Sequence, residues 1–381
     1  MNSWYVLALV LIVFCAITNV PAAEPANKPE LALEAVRAKY DFPGLAAIVV
    51  QDGKIRDLVA VGVRKKGDPA PLTTNDVFHI GSCTKSMTAT VAAMLIEKGA
   101  LHWETTIGEV FPELVGRIDR KYETVTLHQL LLHRGGVPGK PPAAAWKRAW
   151  EQNGTPTEQR YEFIKAVLRD PPEAPPGTKY IYSNQGYAIA GAMLEKITGV
   201  PWESLLTEHL FQPLHMASAG FGPPGTKDKV DQPWGHTKKG SEVVALQEDN
   251  PPAIGPGGTV HCSLPDLAAY AMIHLRGERI GGLLKPESFR KLHEPVDNET
   301  PEPYACGWVC CQRDWAGGKA LTHNGSNTMW YLVMWLAPEK DLAVIVATNT
   351  GVGQTFQGCD EVAAQLIHKW AGRSQAMNAP R

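Results

Sequence analysis

Residues 82–99 read Ser82-Cys83-Thr84-Lys85-Ser86-Met87-Thr88-Ala89-Thr90-Val91-Ala92-Ala93-Met94-Leu95-Ile96-Glu97-Lys98-Gly99. Met87, Val91, Met94 and Leu95 recur at helical spacing and Gly99 supplies a stop, which predicts a helix over 84–98. Beyond its first turn the stretch is almost wholly apolar, as in a buried helix rather than a surface one. Ser82 and Lys85 stand three residues apart at its opening, so one turn puts both side chains on the same side. A serine hydroxyl is a weak nucleophile until a neighbouring base takes its proton, and a lysine stripped of water can be that base because desolvation lowers its pKa. The start of the helix adds free backbone N–H groups for an incoming carbonyl oxygen. Spacing alone decides nothing, since Ser288-Phe289-Arg290-Lys291 has it too, in a charged amphipathic segment that reads as a solvated helix face. Ser82 taken alone is equally well a helix cap beside a surface lysine.

Two further segments carry chemistry. Tyr182-Ser183-Asn184 follows Pro175-Pro176-Gly177 and precedes a predicted helix over 185–198. A phenol beside an ammonium can have its pKa lowered and shuttle a proton between serine and leaving group, while an amide can position both lysine and substrate. The plain alternative is that Asn184 caps the helix and Tyr182 packs. His323-Asn324-Gly325-Ser326 ends a predicted strand. A glycine there lets substrate lie against the strand edge, and the N–H just beyond it can pair with that of Ser82 as an oxyanion hole, each donor being worth about 3 kcal/mol to a transition state. A simple Asn-Gly hairpin turn reads equally well locally.

Outward from these segments, residues 28–40 predict a helix. Residues 44–51 and 55–63 predict two strands joined at Asp52-Gly53, a strong hairpin signal. Residues 105–255 carry helical patterns at 127–132, 159–168, 185–198 and 202–210 between Pro/Gly loops. Gly255-Pro256-Gly257-Gly258 reads as a turn, with too few glycines at the right spacing for a dinucleotide site. A helix follows at 264–275, strands at 308–312, 319–322, 329–336 and 342–348, and a last helix at 360–370. Strands at both ends with helices between predict an α/β chain of the α+β type: a mixed, largely antiparallel sheet flanked by N- and C-terminal helices, carrying a mainly helical insertion.

The chain has 381 residues, 44% hydrophobic and 20% charged, an ordinary globular composition of about two or three domains' length. With 37 Lys plus Arg against 39 Asp plus Glu, the net charge is −2, and no concentrated cationic face recommends nucleic acid as a partner. There is no Gly-x-Ser-x-Gly elbow, no His-Glu-x-x-His zinc helix and no phosphate loop. The apolar run over 4–17, followed by small residues before Ala23, reads as a secretory signal without its usual basic leader. Left uncleaved, it would be the chain's one membrane contact. Seven cysteines, six of them beyond that run, fix no pairing, and adjacent Cys310 and Cys311 with no Cys-x-x-Cys spacing argue against zinc. Cys83 is a rival nucleophile by position, but inside an apolar helix it reads as a packed, inert thiol. His128 and His133, five apart, do not share a helix face and read as core or capping residues.

The three segments in this order resemble the serine β-lactamase and penicillin-binding protein superfamily, in the branch containing class C β-lactamases, DD-peptidases, D-aminopeptidases and related esterases. The stretches "LHQLLLHRGGVPG" (127–139), "PPGTKYIYSNQGYAIAGAMLEKITG" (175–199), "FQPLHM" (211–216) and "GPGGTVHCSLPDLAAY" (255–270) look like its recurring segments, so the likeness covers nearly the whole chain after residue 23. The resemblance implies Ser82 as acylated nucleophile, Lys85 as its activating amine, Tyr182 as proton shuttle and Asn184 as positioning amide, with His323, Asn324, Gly325 and Ser326 as the substrate-binding strand and neither metal nor cofactor. His323 stands where many β-lactamases of this branch have the lysine of Lys-Thr-Gly, a departure closer to the DD-peptidase and D-aminopeptidase members. As an imidazole it would orient a substrate carboxylate less reliably than an ammonium. The expected organisation is a signal over 1–23, a discontinuous sheet domain over 24–104 and 256–372, a helical insertion over 105–255 and a loose tail over 373–381. The expected activity is that of an exported serine hydrolase (DD-peptidase, D-aminopeptidase or esterase-like) on small-molecule or peptide substrates: D-amino-acid peptides, esters or β-lactam-like amides, with peptidoglycan among the candidates. The alternatives are a promiscuous carboxylesterase and, in another class, a penicillin- or cell-wall-binding protein without turnover.

Overall fold

The computed structural model describes residues 29–296 and 303–372; the expected signal over 1–23 and the tail over 373–381 lie outside them. The chain begins with α1 (Pro29–Lys39) and the hairpin β1 (Gly44–Gln51) and β2 (Lys54–Gly62). Asp52 and Gly53 turn it with φ of 54° and 72°, the left-handed pair that a two-residue hairpin turn demands. After β3 (Val77–His79) comes α2 (Thr84–Glu97), the helix of the opening stretch. The helical middle holds α3 (Ile107–Val110), α4 (Leu127–Leu131), α5 (Ala143–Glu151), α6 (Pro156–Arg169), α7 (Asn184–Thr198) and α8 (Trp202–Leu206). Next stand β4 (Gly220–Phe221), the hairpin β5 (Gly235–Lys239) and β6 (Glu242–Leu246), a 3-10 turn over Pro252–Gly257, and β7 (Val260–Ser263). The rest is α9 (Leu264–Ile280), α10 (Pro286–Leu292), β8 (Val309–Arg313), β9 (Gly318–Ser326), β10 (Tyr331–Ala337), β11 (Leu342–Thr348) and α11 (Thr355–Ala371).

The main sheet has the order β2-β1-β11-β10-β9-β8, and each of its pairings is antiparallel. β1 and β11 are buried along their whole lengths because both faces are covered. Leu45, Ala47 and Val49 face a cluster built with Leu33 and Val36 of α1 and Val362 and Ala363 of α11. Ala46, Ile48 and Val50 face the larger core, which contains α2, α7 and α9. Alternate side chains of each strand therefore feed two cores, and β1 and β11 read as nearly continuous hydrophobic sequence. A short second sheet, β3-β7-β4, leads the chain into α2, which is buried from Thr84 to Leu95 and packs on α7, α8 and α10.

β9 departs from expectation. It continues through His323-Asn324-Gly325-Ser326 to Ser326 instead of turning at Asn324-Gly325, because Leu332 and Val333 of β10 pair with Gly325 and Asn324. β8 pairs with β9 only as far as Thr322. α5 and the β5–β6 hairpin carry no counterpart in the expected pattern. The six cysteines among the described residues are free and buried. Among the described residues no helix is long and apolar enough to cross a membrane.

Candidate active site

β3 hands the chain to Gly81, whose φ is 51° and where a Cβ would lie 2.3 Å from the backbone N of Ser326. Only glycine lets the two segments approach this closely. A single 3-10 turn, Gly81–Cys83, then starts α2. Ser82 is partly exposed on it while Lys85, one turn on, is wholly buried. Lys85 Nζ lies 3.0 Å from Ser82 Oγ, 2.6 Å from Asn184 Oδ1 and 2.6 Å from the carbonyl of Gly257. Burial pulls its pKa down to about 7. A neutral amine there donates to Asn184 and Gly257 and keeps its lone pair for the Ser82 proton, which is the geometry of a general base.

Asn184 is free for this because Ser183, not Asn184, caps α7. Ser183 Oγ accepts from Gly186 N (3.2 Å) and donates to Pro138 O (2.7 Å). Tyr182, just outside the helix, sets its ring 4.7 Å from Lys85 Nζ and 4.4 Å from the ring of His133. His133, at φ 59° beyond the end of α4, holds this strand-like segment from both sides: its carbonyl accepts from Ile181 N (2.8 Å) and its Nδ1 from Ser183 N (3.1 Å). The Tyr182 pKa is not lowered. Although the residue is 38% exposed, desolvation of the phenol among the surrounding rings raises it, against a smaller opposing hydrogen bond with Ser82. The group tuned toward neutrality is Lys85, and Tyr182 is a phenol that holds its proton and can donate it.

The third segment divides by the alternation of β9. On the side of Ser82, a Cβ on Gly325 would stand 2.0 Å from Ile80 O and 2.7 Å from Ser82 N, so the Ser82 N–H and the strand lie against each other. Ser326 contributes its backbone here, since its Oγ is taken by Trp330 O (2.6 Å) and Thr328 N (2.9 Å). His323 is 5% exposed; its Nδ1 donates to Asn324 O (2.5 Å) and its Nε2 accepts from Tyr304 Oη (3.1 Å). Burial, with Lys85 nearby, pulls its pKa down to about 4, so near pH 7 it is a neutral imidazole with both nitrogens engaged. Asn324 is a correction: it falls on the opposite face of the sheet, its Nδ2 donating to Tyr331 Oη (3.1 Å), and a period of two cannot bring its side chain to the site with His323 and Gly325. The residues that sequence reasoning did not single out are Gly257, whose contribution is a backbone carbonyl that no side-chain pattern signals, Tyr304, a loop aromatic with no spacing to mark it, and His133, read as a core or capping residue.

The look-alike pattern behaves as a surface feature. Ser288 Oγ donates to Glu97 Oε1 (2.5 Å) and Lys291 pairs with Glu294 (3.3 Å). Cys83 is buried, with its pKa pushed up to about 12, which leaves it no thiolate near neutrality.

An antiparallel sheet closed by the two ends of a chain, with a water-excluded amine set against a serine at the head of the helix beside it, defines the serine β-lactamase-like hydrolases. The family model described as Beta-lactamase matches residues 30–367, and the chain belongs to that family, part of a serine hydrolase superfamily of amidases, peptidases and β-lactamases. It is 27% identical over 351 residues to "Penicillin-binding protein 4" of Amycolatopsis lactamdurans, covering 89% of this chain and 88% of that one. The octameric penicillin-binding protein homologue from Pyrococcus abyssi superposes with a TM-score of 0.73 at 27% identity, over 91% of this chain and 78% of that one. D-amino acid amidase from Ochrobactrum anthropi SV3 shares the fold, with a TM-score of 0.73 at 19% identity over 90% of this chain and 97% of that one.

Proposed function

We propose that the protein is an exported serine hydrolase that opens amides or esters through an acyl-enzyme on Ser82. The observation that carries this reading is Lys85: a fully buried amine, pKa about 7, held 3.0 Å from Ser82 Oγ by two fixed acceptors. Lys85 takes the Ser82 proton as Oγ attacks the substrate carbonyl carbon, and the developing oxyanion sits between the N–H groups of Ser82 and Ser326. The tetrahedral intermediate collapses with Tyr182 protonating the leaving group, and the Lys85 ammonium returns a proton to the Tyr182 phenolate. Water repeats the sequence on the acyl-enzyme and releases the acid. The edge of β9 beyond Thr322, left unpaired by β8, supports an extended substrate backbone lying along it. The neutral, doubly engaged His323 favours acyl donors that need no cation for a carboxylate, that is D-amino-acid amides, peptides presented by their amino end, and esters. Export is supported by the apolar run over 4–17.

The test is covalent labelling with a fluorophosphonate and with a fluorescent penicillin, the latter suggested by the name of the Amycolatopsis relative, in wild type and Ser82→Ala. Labelling by at least one probe that disappears in Ser82→Ala is expected. An unlabelled wild type that still binds peptidoglycan fragments would replace the hydrolase by a binding protein.

A further inference from the structure

Three buried polar side chains to which acyl transfer gives no task tie the strand leading to the nucleophile to the turn that follows Ser326. They come from distant parts of the chain: His79 ends β3, Asp249 precedes the Pro252–Gly257 turn, and Asn327 starts the β9–β10 connection. Their exposures are 0%, 8% and 5%. Gly81 N donates to His79 Nδ1 (3.1 Å), and because a backbone N–H can only donate, Nδ1 is an acceptor and the ring proton sits on Nε2. That proton goes to Asp249 Oδ2 at 2.8 Å. The other carboxylate oxygen, Oδ1, accepts from Asn327 Nδ2 (3.0 Å) and Asn250 N (2.6 Å). Asn327 in turn accepts at Oδ1 from Met329 N and Trp330 N, 3.2 Å each, and the Trp330 ring stacks on His79 at 5.8 Å.

This chain of bonds has one end on the N–H of Gly81, the residue just before Ser82, and the other on Asn327, the residue just after Ser326. Ser82 and Ser326 are the two residues whose N–H groups must converge on a single oxygen, each at about 2.7–3.1 Å, for an oxyanion hole to work. The segments touch directly: a Cβ on Gly81 would lie 2.3 Å from Ser326 N, so no side chain between them sets their spacing. Fixing it falls to groups bonded to both. We propose that Asp249 is a positioning residue for the oxyanion hole, acting through His79 on Ser82 and through Asn327 on Ser326. A carboxylate suits this place because it accepts from two side chains and a backbone N–H at once. An amide in the same position has only one oxygen and must turn its NH₂ toward one of those donors.

The proposal rests on the acyl-enzyme reading, and the experiment separates the two. Wild type, Asp249→Asn, His79→Leu and His79→Gln are titrated with a fluorophosphonate to count folded, reactive sites. Then kcat and KM for a p-nitrophenyl ester and Ki for an arylboronic acid, whose tetrahedral adduct places an oxygen in the hole, are measured per titrated site. Asp249→Asn and His79→Leu are expected to lose about 10- to 100-fold in kcat, the scale of a small misplacement of reacting groups, with KM within about threefold. The boronic acid Ki should rise in step with that loss. His79→Gln, which keeps both an amide oxygen and an amide N–H, is expected to recover most of the rate. If Asp249→Asn and His79→Leu keep wild-type kcat and Ki per titrated site and lose only melting temperature, the three residues are a structural strut and the positioning role is wrong. A wild type labelled by neither the fluorophosphonate nor the fluorescent penicillin removes the acyl-enzyme reading, and this proposal with it.

Discussion

In the proposed reaction Lys85 is the base because its surroundings offer it acceptors and no compensating negative charge. As an ammonium it would donate to Ser82 Oγ, Asn184 Oδ1 and Gly257 O together, leaving the serine proton nowhere to go. As a neutral amine it satisfies the same two fixed acceptors and takes the serine proton. The first cause of its lowered pKa is burial, which disfavours the charged form, so the active form is the one present above about pH 7. The acylation rate, measured as kcat/KM for an ester between pH 5 and 9, is therefore expected to rise tenfold per pH unit on the acid side and to level off above about 7. His323, with its pKa near 4, makes no step in that range. A profile whose only acid limb falls near 4 would hand the base role to another group. At this scale Ser82, Lys85, Tyr182 and Asn184 were legible through the order of the three segments and their likeness to the family, since Ser288-Phe289-Arg290-Lys291 has the same spacing without the context. Gly257, contributing a carbonyl, and Tyr304, capping His323 from a loop, have no such mark.

At the scale of elements, the site is a meeting of α2, α7, β9 and the Pro252–Gly257 turn, and the turn is the least secured by sequence. It is pressed against α7 at Gly191, where a Cβ would lie 2.3 Å from Pro256 Cγ, and Thr88 Oγ1 of α2 holds the Pro256 carbonyl at 2.8 Å. Further back, Arg160 of α6 binds Pro252 O at 3.1 Å and Glu203 at 2.6 Å. Gly191→Ala is expected to push the proline ring, which cannot swing aside as a flexible chain can, and to carry the Gly257 carbonyl away from Lys85. Overpacking of this kind costs about 1–3 kcal/mol. The expected outcome is a melting temperature lower by several degrees and a kcat about tenfold lower with little change in KM, read by calorimetry and ester kinetics; unchanged kcat per titrated site would show that the turn does not position Lys85. The helices of this frame were legible because 3.6-residue periodicity and stops are local. The extra length of β9 was not, because Asn-Gly turns or continues according to its partner strand, and β10 decides it. β5, β6 and α5 were missed for a related reason: the two strands have five residues each and the helix nine, and each is specified by what it packs on.

Over the whole molecule, sequence patterning anticipated one sheet built from both ends of the chain, and the two cores on its faces explain why β1 and β11 show no alternation. The same depth of burial sets how the fold responds to acid. His128 and His323 are pulled from 6.5 to about 4, and His133, His236, His261, His274 and His293 are also lowered, burial being the first cause in each. Below pH 6.5 the unfolded chain takes up protons at these rings that the folded chain refuses, so stability falls as pH drops from 6.5 toward 4. Lys85 adds a slope of the same sign at higher pH: folded it gives up its proton near 7, unfolded it keeps it to 10.5, so its burial opposes folding fully below 7 and progressively less above. The buried thiols act in reverse. Cys83, Cys306 and Cys310, pushed from 9.0 up to about 12, lower stability as pH rises past 9, where only the unfolded chain ionises them. The urea midpoint is therefore expected to decline steeply between pH 6.5 and 4 and to turn down again above about 9, with its maximum between. Lys85→Met should flatten the rise between 7 and 9 while leaving the acid decline intact. A midpoint that stays level from 6.5 to 4.5 would mean that these imidazoles gain protons without unfolding and that the core around them admits water.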